Sequence, residues 1–182
     1  MAGAASAPQR VRPLYTAEEI AVRVDELAAA IAAAKLERLL IIAVLKGSFI
    51  FAADLIRALQ RQGLSPEIDF IFLASYGTGT HSVGSVTVLR DVETDVVGRD
   101  VVLIDDILDS GRTLAFARDL LQRRGAARVL TCVLIDKKVA RAVPVEADFT
   151  GFPCPPRFVV GYGMDLGHRF RELPFIAEIE GE

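Results

Sequence analysis

Val101–Ile104 is apolar at every position and runs straight into the carboxylates of Asp105 and Asp106. A strand with one wet face alternates apolar and polar residues; an unbroken run belongs inside a parallel sheet covered on both sides. Residues 39–45 and 129–135 read as strands of the same kind, and residues 68–74, rich in Phe and Ile, as another. Helical patterns lie between them. Thr16 and Glu19 form a capping box, and Ile20, Val24, Leu27 and Ile31 follow at helical spacing, which predicts a helix over residues 16–35. Residues 49–62 form a second helix closed by Gly63, and residues 112–124 a third ending at Gly125. Residues 85–89, 147–152 and 158–160 are shorter strands, with Pro153, Pro155 and Pro156 breaking the chain before the last. Strands alternating with helices imply an α/β fold, a doubly wound, mostly parallel sheet flanked by helices. Ligands of such sheets bind beyond the carboxyl ends of the strands. Lys46, Tyr76, Asp105 and Lys137 each fall at that end of a strand.

The residues after Val101–Ile104 have a specific chemical use. Beyond Asp105 and Asp106 come two apolar residues, then Asp109, and then Ser110-Gly111-Arg112-Thr113 as a helix begins. A helix start leaves backbone N–H groups without partners and carries partial positive charge. Gly111 lets the backbone approach a ligand, and Ser110 and Thr113 add hydroxyl donors. Together these form a cradle for a phosphomonoester. The acids upstream would hold sugar hydroxyls or a hydrated Mg²⁺. A phosphate, a ribose and a metal in one loop point to a phosphoribosyl ligand. An ordinary strand-to-helix turn capped by Asp109 or Ser110 uses some of the same residues. Such a turn needs neither three acids nor Arg112 and Thr113 together behind Gly111.

Composition narrows the class. The 182 residues are 52% hydrophobic, enough for a sizeable core and too apolar for disorder. A net charge of −3 supplies no basic excess for nucleic acid as an obligate partner. The apolar runs of residues 27–34 and 39–45 are far short of the roughly 20 residues that span a bilayer, so no membrane association is expected. Residues 1–13 read as a flexible tail preceding a single domain over residues 14–182. Cys132 and Cys154 lack Cys or His neighbours at zinc-ligand spacing, which fits a reduced, cytoplasmic setting. Residues 77–84 carry no large apolar group to anchor them and are expected to be mobile. His81 and His168 have no partners at catalytic spacing.

The string Asp105 to Thr113 resembles the phosphoribosyl-diphosphate (PRPP) signature of type I phosphoribosyltransferases. Three further segments resemble the 6-oxopurine (hypoxanthine-guanine) branch of that family. Leu45-Lys46-Gly47-Ser48-Phe49 is similar to its pyrophosphate loop, and Ser75-Tyr76-Gly77-Thr78-Gly79-Thr80 to its mobile loop. Phe158-Val159-Val160-Gly161-Tyr162-Gly163-Met164-Asp165, followed by Phe170-Arg171, is similar to its purine pocket. The four occur in the family's order and span residues 39–173.

The resemblance implies purine salvage: Mg²⁺-dependent transfer of phosphoribosyl from PRPP to hypoxanthine or guanine. It implies a fold with a small hood made by the N- and C-terminal segments. By the same resemblance Asp109, Ser110, Gly111, Arg112 and Thr113 hold the 5′-phosphate, and Asp105 and Asp106 face the ribose hydroxyls and Mg²⁺. Asp109 is the candidate general base for a purine ring N–H. Lys46, Gly47 and Arg171 bind pyrophosphate, Ser75 and Tyr76 belong to the closing loop, and Asp165 serves a second Mg²⁺. Lys137 donates to the purine 6-oxo group, Phe158 stacks on the ring, and Val159 reads it through its backbone. Family members mostly carry Glu-Asp where this chain has Asp105-Asp106, which shortens the first side chain's reach. A homodimer or homotetramer is the implied assembly. A xanthine-preferring transferase and an RNA-binding regulator built on the same fold are the competing readings; Lys137 and the acidic balance disfavour the regulator.

Overall fold

The computed structural model describes residues 10–76 and 85–180. Its central sheet has six strands in the order β4-β3-β2-β5-β6-β7. They are β2 (Leu40–Leu45), β3 (Glu67–Tyr76), β4 (Ser85–Arg90), β5 (Asp100–Leu108), β6 (Arg128–Lys137) and β7 (Phe149–Cys154). All neighbours are parallel except β3 and β4, which form an antiparallel pair at one edge.

Helices α1 (Ala17–Ala33) and α2 (Phe49–Arg61) cover one face, and α3 (Arg112–Arg123) covers the other. Strand alternation sorts the core. Ile41, Ala43, Val102, Ile104 and Leu134 pack with Ile20, Val24, Phe51 and Leu55 beneath α1 and α2. Leu40, Ile42, Val101, Leu103 and Val133 pack with Leu114, Ala117 and Leu121 beneath α3. This two-sided burial is why the strand sequences read as unbroken apolar runs. The Thr16–Glu19 capping box forms in both directions, with Thr16 N–H donating to Glu19 Oε2 at 2.8 Å.

A second, antiparallel sheet of order β1-β9-β8 makes the hood, from β1 (Val11–Tyr15), β8 (Val159–Val160) and β9 (Ile176–Ile179). It joins the two ends of the chain, as the family resemblance implied. The tail expected over residues 1–13 therefore needs a correction: Val11 to Pro13 are strand, paired with Ile179 to Ala177. Glu178, with its side chain 9% exposed, ties the hood together by accepting from both Arg12 and Arg157.

Three further boundaries differ from the sequence reading. Strand β5 continues past Asp105 to Leu108, because Ile107 and Leu108 still pair with Ile135 and Asp136 of β6. Strand β7 takes in Pro153, which an edge strand tolerates with its missing N–H turned from the ladder. Strand β9 was not anticipated at all. Among the described residues no helix is long and apolar enough to cross a membrane.

Candidate active site

Adjacent parallel strands β2 and β5 deliver their carboxyl ends side by side, and each feeds a helix whose N-terminus faces that end of the sheet. Both helix starts lack a side-chain cap. Ser48 is the N-cap of α2, but its hydroxyl is buried and donates to Val44 O at 2.5 Å. Gly111 is the N-cap of α3, with φ +79° in the left-handed region. A side chain at Gly111 would also meet Val143 O at 2.5 Å and Val145 Cγ1 at 2.7 Å. Neither Asp109 nor Ser110 is therefore the cap that an ordinary turn would have used. Ser110 Oγ accepts only a long 3.4 Å bond from Arg112 N–H. Two uncapped helix starts make two neighbouring anion cradles.

The first cradle opens into a cavity of about 370 Å³ lined by Ile107, Asp109, Ser110, Gly111, Thr113 and Leu114, among others. Arg112 is half-buried and does not line it. The second cradle is the loop Lys46-Gly47-Ser48, entered through a cis Leu45–Lys46 peptide. Lys46 is exposed, its ammonium 5.4 Å from the centroid of the Phe72 ring.

Asp105 and Asp106 lie between the cradles, within β5 rather than after it. Asp105 is 6% exposed, and its Oδ1 accepts from Asp106 N–H at 3.0 Å, so the carboxylate folds back on its own strand. Burial and the Asp106 charge hold the Asp105 carboxyl well above the ordinary carboxylate range. Burial also raises Asp106, against the opposing pull of its bonds and of the Arg171 charge. Gly47 packs directly on the Asp106 carboxylate: a Cβ there would fall 2.5 Å from its carboxyl carbon.

Lys137, the last residue of β6, donates to Asp109 Oδ2 at 2.9 Å. The lysine side chain is 13% exposed and the aspartate 51%, so the pair faces outward from a buried stem. Val159 is buried in the hood sheet, and Phe158 beside it leaves 42% of its surface open. Arg171 donates to Gly163 O at 2.5 Å and pairs with Asp165 at 2.6 Å. Asp165 also accepts from His168 N–H at 2.7 Å. Ser75 and Tyr76 end β3, where their backbones pair with Val86 and Ser85. Residues 77–84, read as the mobile loop, lie outside the described residues.

Sequence reasoning missed two supports of this site. Arg141 pairs with Asp136 and donates to Val145 O at 2.6 Å, while Val143 N–H donates to Ser110 O at 3.1 Å. The segment behind Gly111 is thereby clamped to the end of β6. The second is Tyr162, whose hydroxyl donates to Asp54 Oδ2 of α2 at 2.7 Å. Asp136 gave one usable signal, a carboxylate directly after the apolar run Val133–Ile135.

The model of the phosphoribosyl transferase domain matches residues 11–166. The bifunctional protein TilS/HprT of Listeria monocytogenes serotype 4b is 46% identical over 143 residues, which is 79% of this chain and 22% of that protein. The chain thus spans about a fifth of the length of that relative. The hypoxanthine phosphoribosyltransferase of Escherichia coli strain K12 is 41% identical over 141 residues, 78% of either chain. Among solved structures, a hypoxanthine-guanine phosphoribosyltransferase from Bacillus anthracis superposes with a TM-score of 0.86 at 40% identity, covering 93% of this chain and 99% of that one.

Proposed function

The chain belongs to the phosphoribosyl transferase family, and on that footing we propose that it is a purine-salvage enzyme. It transfers the 5-phosphoribosyl group of PRPP to hypoxanthine or guanine, giving IMP or GMP and pyrophosphate. The Lys137–Asp109 pair carries this reading. A 6-oxopurine presents its carbonyl O6 and ring N7 side by side on one edge. An ammonium and a carboxylate 2.9 Å apart match that edge: Lys137 donates to O6, and Asp109 accepts the ring N–H. Adenine sets an amino donor against the Lys137 ammonium and leaves a buried-stem cation unpaired. As the glycosidic bond forms, Asp109 takes the ring proton, and the charge building on the purine is relieved.

The two cradles account for the other substrate. Ser110, Gly111, Arg112 and Thr113 at the start of α3 hold the 5′-phosphate. Lys46, the Gly47 backbone and Arg171 receive pyrophosphate as it leaves. Phe158 supplies the open ring face for stacking, and Val159 reads the purine through its backbone. Ser75 and Tyr76 lead into the loop that closes over the site and excludes water.

Mg²⁺ fits the residues present. Buried Asp105 and half-buried Asp106 are adjacent hard oxygen donors whose carboxyls burial raises. Among the described residues no cluster of three or more His, Cys, Asp or Glu forms a complete cage. Such ions commonly take one or two carboxylates and complete their shell with substrate phosphates and water. Asp105 and Asp106 would hold one ion with the ribose hydroxyls, Asp105 through water given its short side chain, and Asp165 would serve a second. When bound, the metal neutralises the charge of departing pyrophosphate. The same proposal places the protein in the cytoplasm as a homodimer or homotetramer. Phe49, Phe70 and Leu89, 40–51% exposed, offer apolar surface for a second copy.

The test mixes protein, PRPP and Mg²⁺ with hypoxanthine, guanine or xanthine and identifies products by mass. IMP and GMP formation, abolished by a chelator, is the expected result. No nucleotide from any base would overturn the proposal.

A further inference from the structure

Tyr162 is 6% exposed and holds φ +49°, a left-handed conformation that a bulky residue rarely adopts. Such strain persists only where the surroundings over-determine it. Both ends of the residue are fixed: its N–H donates to Leu173 O at 2.8 Å, and its hydroxyl to Asp54 Oδ2 at 2.7 Å. Asp54 sits on α2, the helix that grows directly out of the Lys46-Gly47-Ser48 loop. Next to Tyr162, Gly163 lies so close to Gly47 O that any side chain at 163 would collide with it. Gly163 also exchanges hydrogen bonds with Arg171, giving its N–H to Arg171 O at 3.1 Å. Away from Gly47, Tyr162 and Asp54 border a cavity of about 510 Å³ walled by Ile20, Val24, Ile50 and Leu173. At that border the hydroxyl's bond to Asp54 is the polar contact that fixes the end of the ring.

We propose that the Tyr162–Asp54 hydrogen bond positions the segment bearing Asp165 and Arg171 against the Lys46–Gly47 loop. It thereby sets the geometry of the pyrophosphate half of the site. This rests on the reading of that half given under Proposed function. Tyr162 and Asp54 are positioning residues: they act on pyrophosphate through Gly163, Arg171 and Asp165. Of the purine half, Lys137 stands on β6, and Phe158 is separated from Tyr162 by the pairing of β8 with β9, so this bond does not govern it.

The experiment uses the full chain with PRPP, hypoxanthine and Mg²⁺, and compares Tyr162→Phe, Asp54→Leu, Asp54→Asn and the double variant Tyr162→Phe/Asp54→Leu. Loss of one net hydrogen bond predicts a rise of about three- to tenfold in KM for PRPP and in the inhibition constant of pyrophosphate. KM for hypoxanthine should stay within about twofold, which is below the effect of one such bond. Asp54→Asn keeps an acceptor oxygen and should behave as wild type, and the double variant should be no worse than either single. A purely structural role would lower the melting temperature and kcat with KM for PRPP unchanged. That result, or an equal change in both KM values, or Asp54→Asn failing like Asp54→Leu, would overturn the inference. Absence of turnover in the wild type would instead overturn the proposed function and this inference with it.

Discussion

Replacing Gly47 by alanine tests the most crowded contact in the site. Gly47 is outside the left-handed region, so its backbone accepts an alanine. The obstacle is Asp106, whose carboxyl carbon would sit 2.5 Å from the new methyl. Carbon atoms pack at about 3.5–4.0 Å and Asp106 Oδ2 would lie closer still than the carboxyl carbon, so the carboxylate must retreat by more than about 1 Å. Asp106 yields by rotating its side chain, which costs about 0.5–1.5 kcal/mol when it leaves a rotamer well. The melting temperature should therefore fall by only about 1–6 °C. Activity should fall much further, because the atoms displaced are those placed between the two anion cradles. A misplacement of about 1 Å costs on the order of 10²-fold. The assay is kcat/KM for PRPP at saturating hypoxanthine and fixed Mg²⁺, with melting curves on the same preparations. A value within about threefold of wild type, a change smaller than one hydrogen bond commonly brings, would refute the placement of Asp106 at the reacting groups.

Asp109→Asn should lower kcat by about 10²- to 10⁴-fold in steady-state assays with little change in melting temperature, because the side chain is half exposed and caps no helix. Asp105→Asn should abolish turnover yet raise the melting temperature at neutral pH by a few degrees with metal chelated. The raised folded-state pKa of Asp105 means that its cost appears as pH climbs through the ordinary carboxylate range and grows toward the folded value. Glu178 has the opposite sign: its bonds to Arg157 and Arg12 lower its pKa, so its stabilisation is present above the ordinary carboxylate range and is lost as pH falls through the folded value. Acid titration of stability should consequently be shallower in Glu178→Gln than in wild type, and identical titrations would remove the hood pairing from the account.

Much of the sheet was legible because β2, β5 and β6 are covered on both faces, which writes burial into the sequence without alternation. The capping box at Thr16 is equally local. The hood was legible only through family resemblance. Strand β1 carries Arg12 and Pro13, its partner β9 lies at the other end of the chain, and antiparallel pairing over that separation leaves no local pattern. The acids of β5 hid its true end: Asp105 and Asp106 are poor strand formers, and only cross-strand pairs such as Ile107 with Ile135 carry the strand to Leu108. Lys46, Tyr76 and Lys137 stand at the carboxyl ends of their strands as read, whereas Asp105 lies inside β5. The sequence did not reveal which site residues would meet, because Lys137 with Asp109, Gly47 with Asp106 and Tyr162 with Asp54 are brought together by topology.

The proposed selection of a 6-oxopurine by the Lys137–Asp109 pair is tested most directly by the ratio of kcat/KM for hypoxanthine to that for adenine with PRPP and Mg²⁺. A site built to hydrogen-bond one group rejects an analogue lacking it by about 10⁴-fold, and a ratio of that order is the predicted result. Comparable use of adenine, or no transfer to either base, would contradict it.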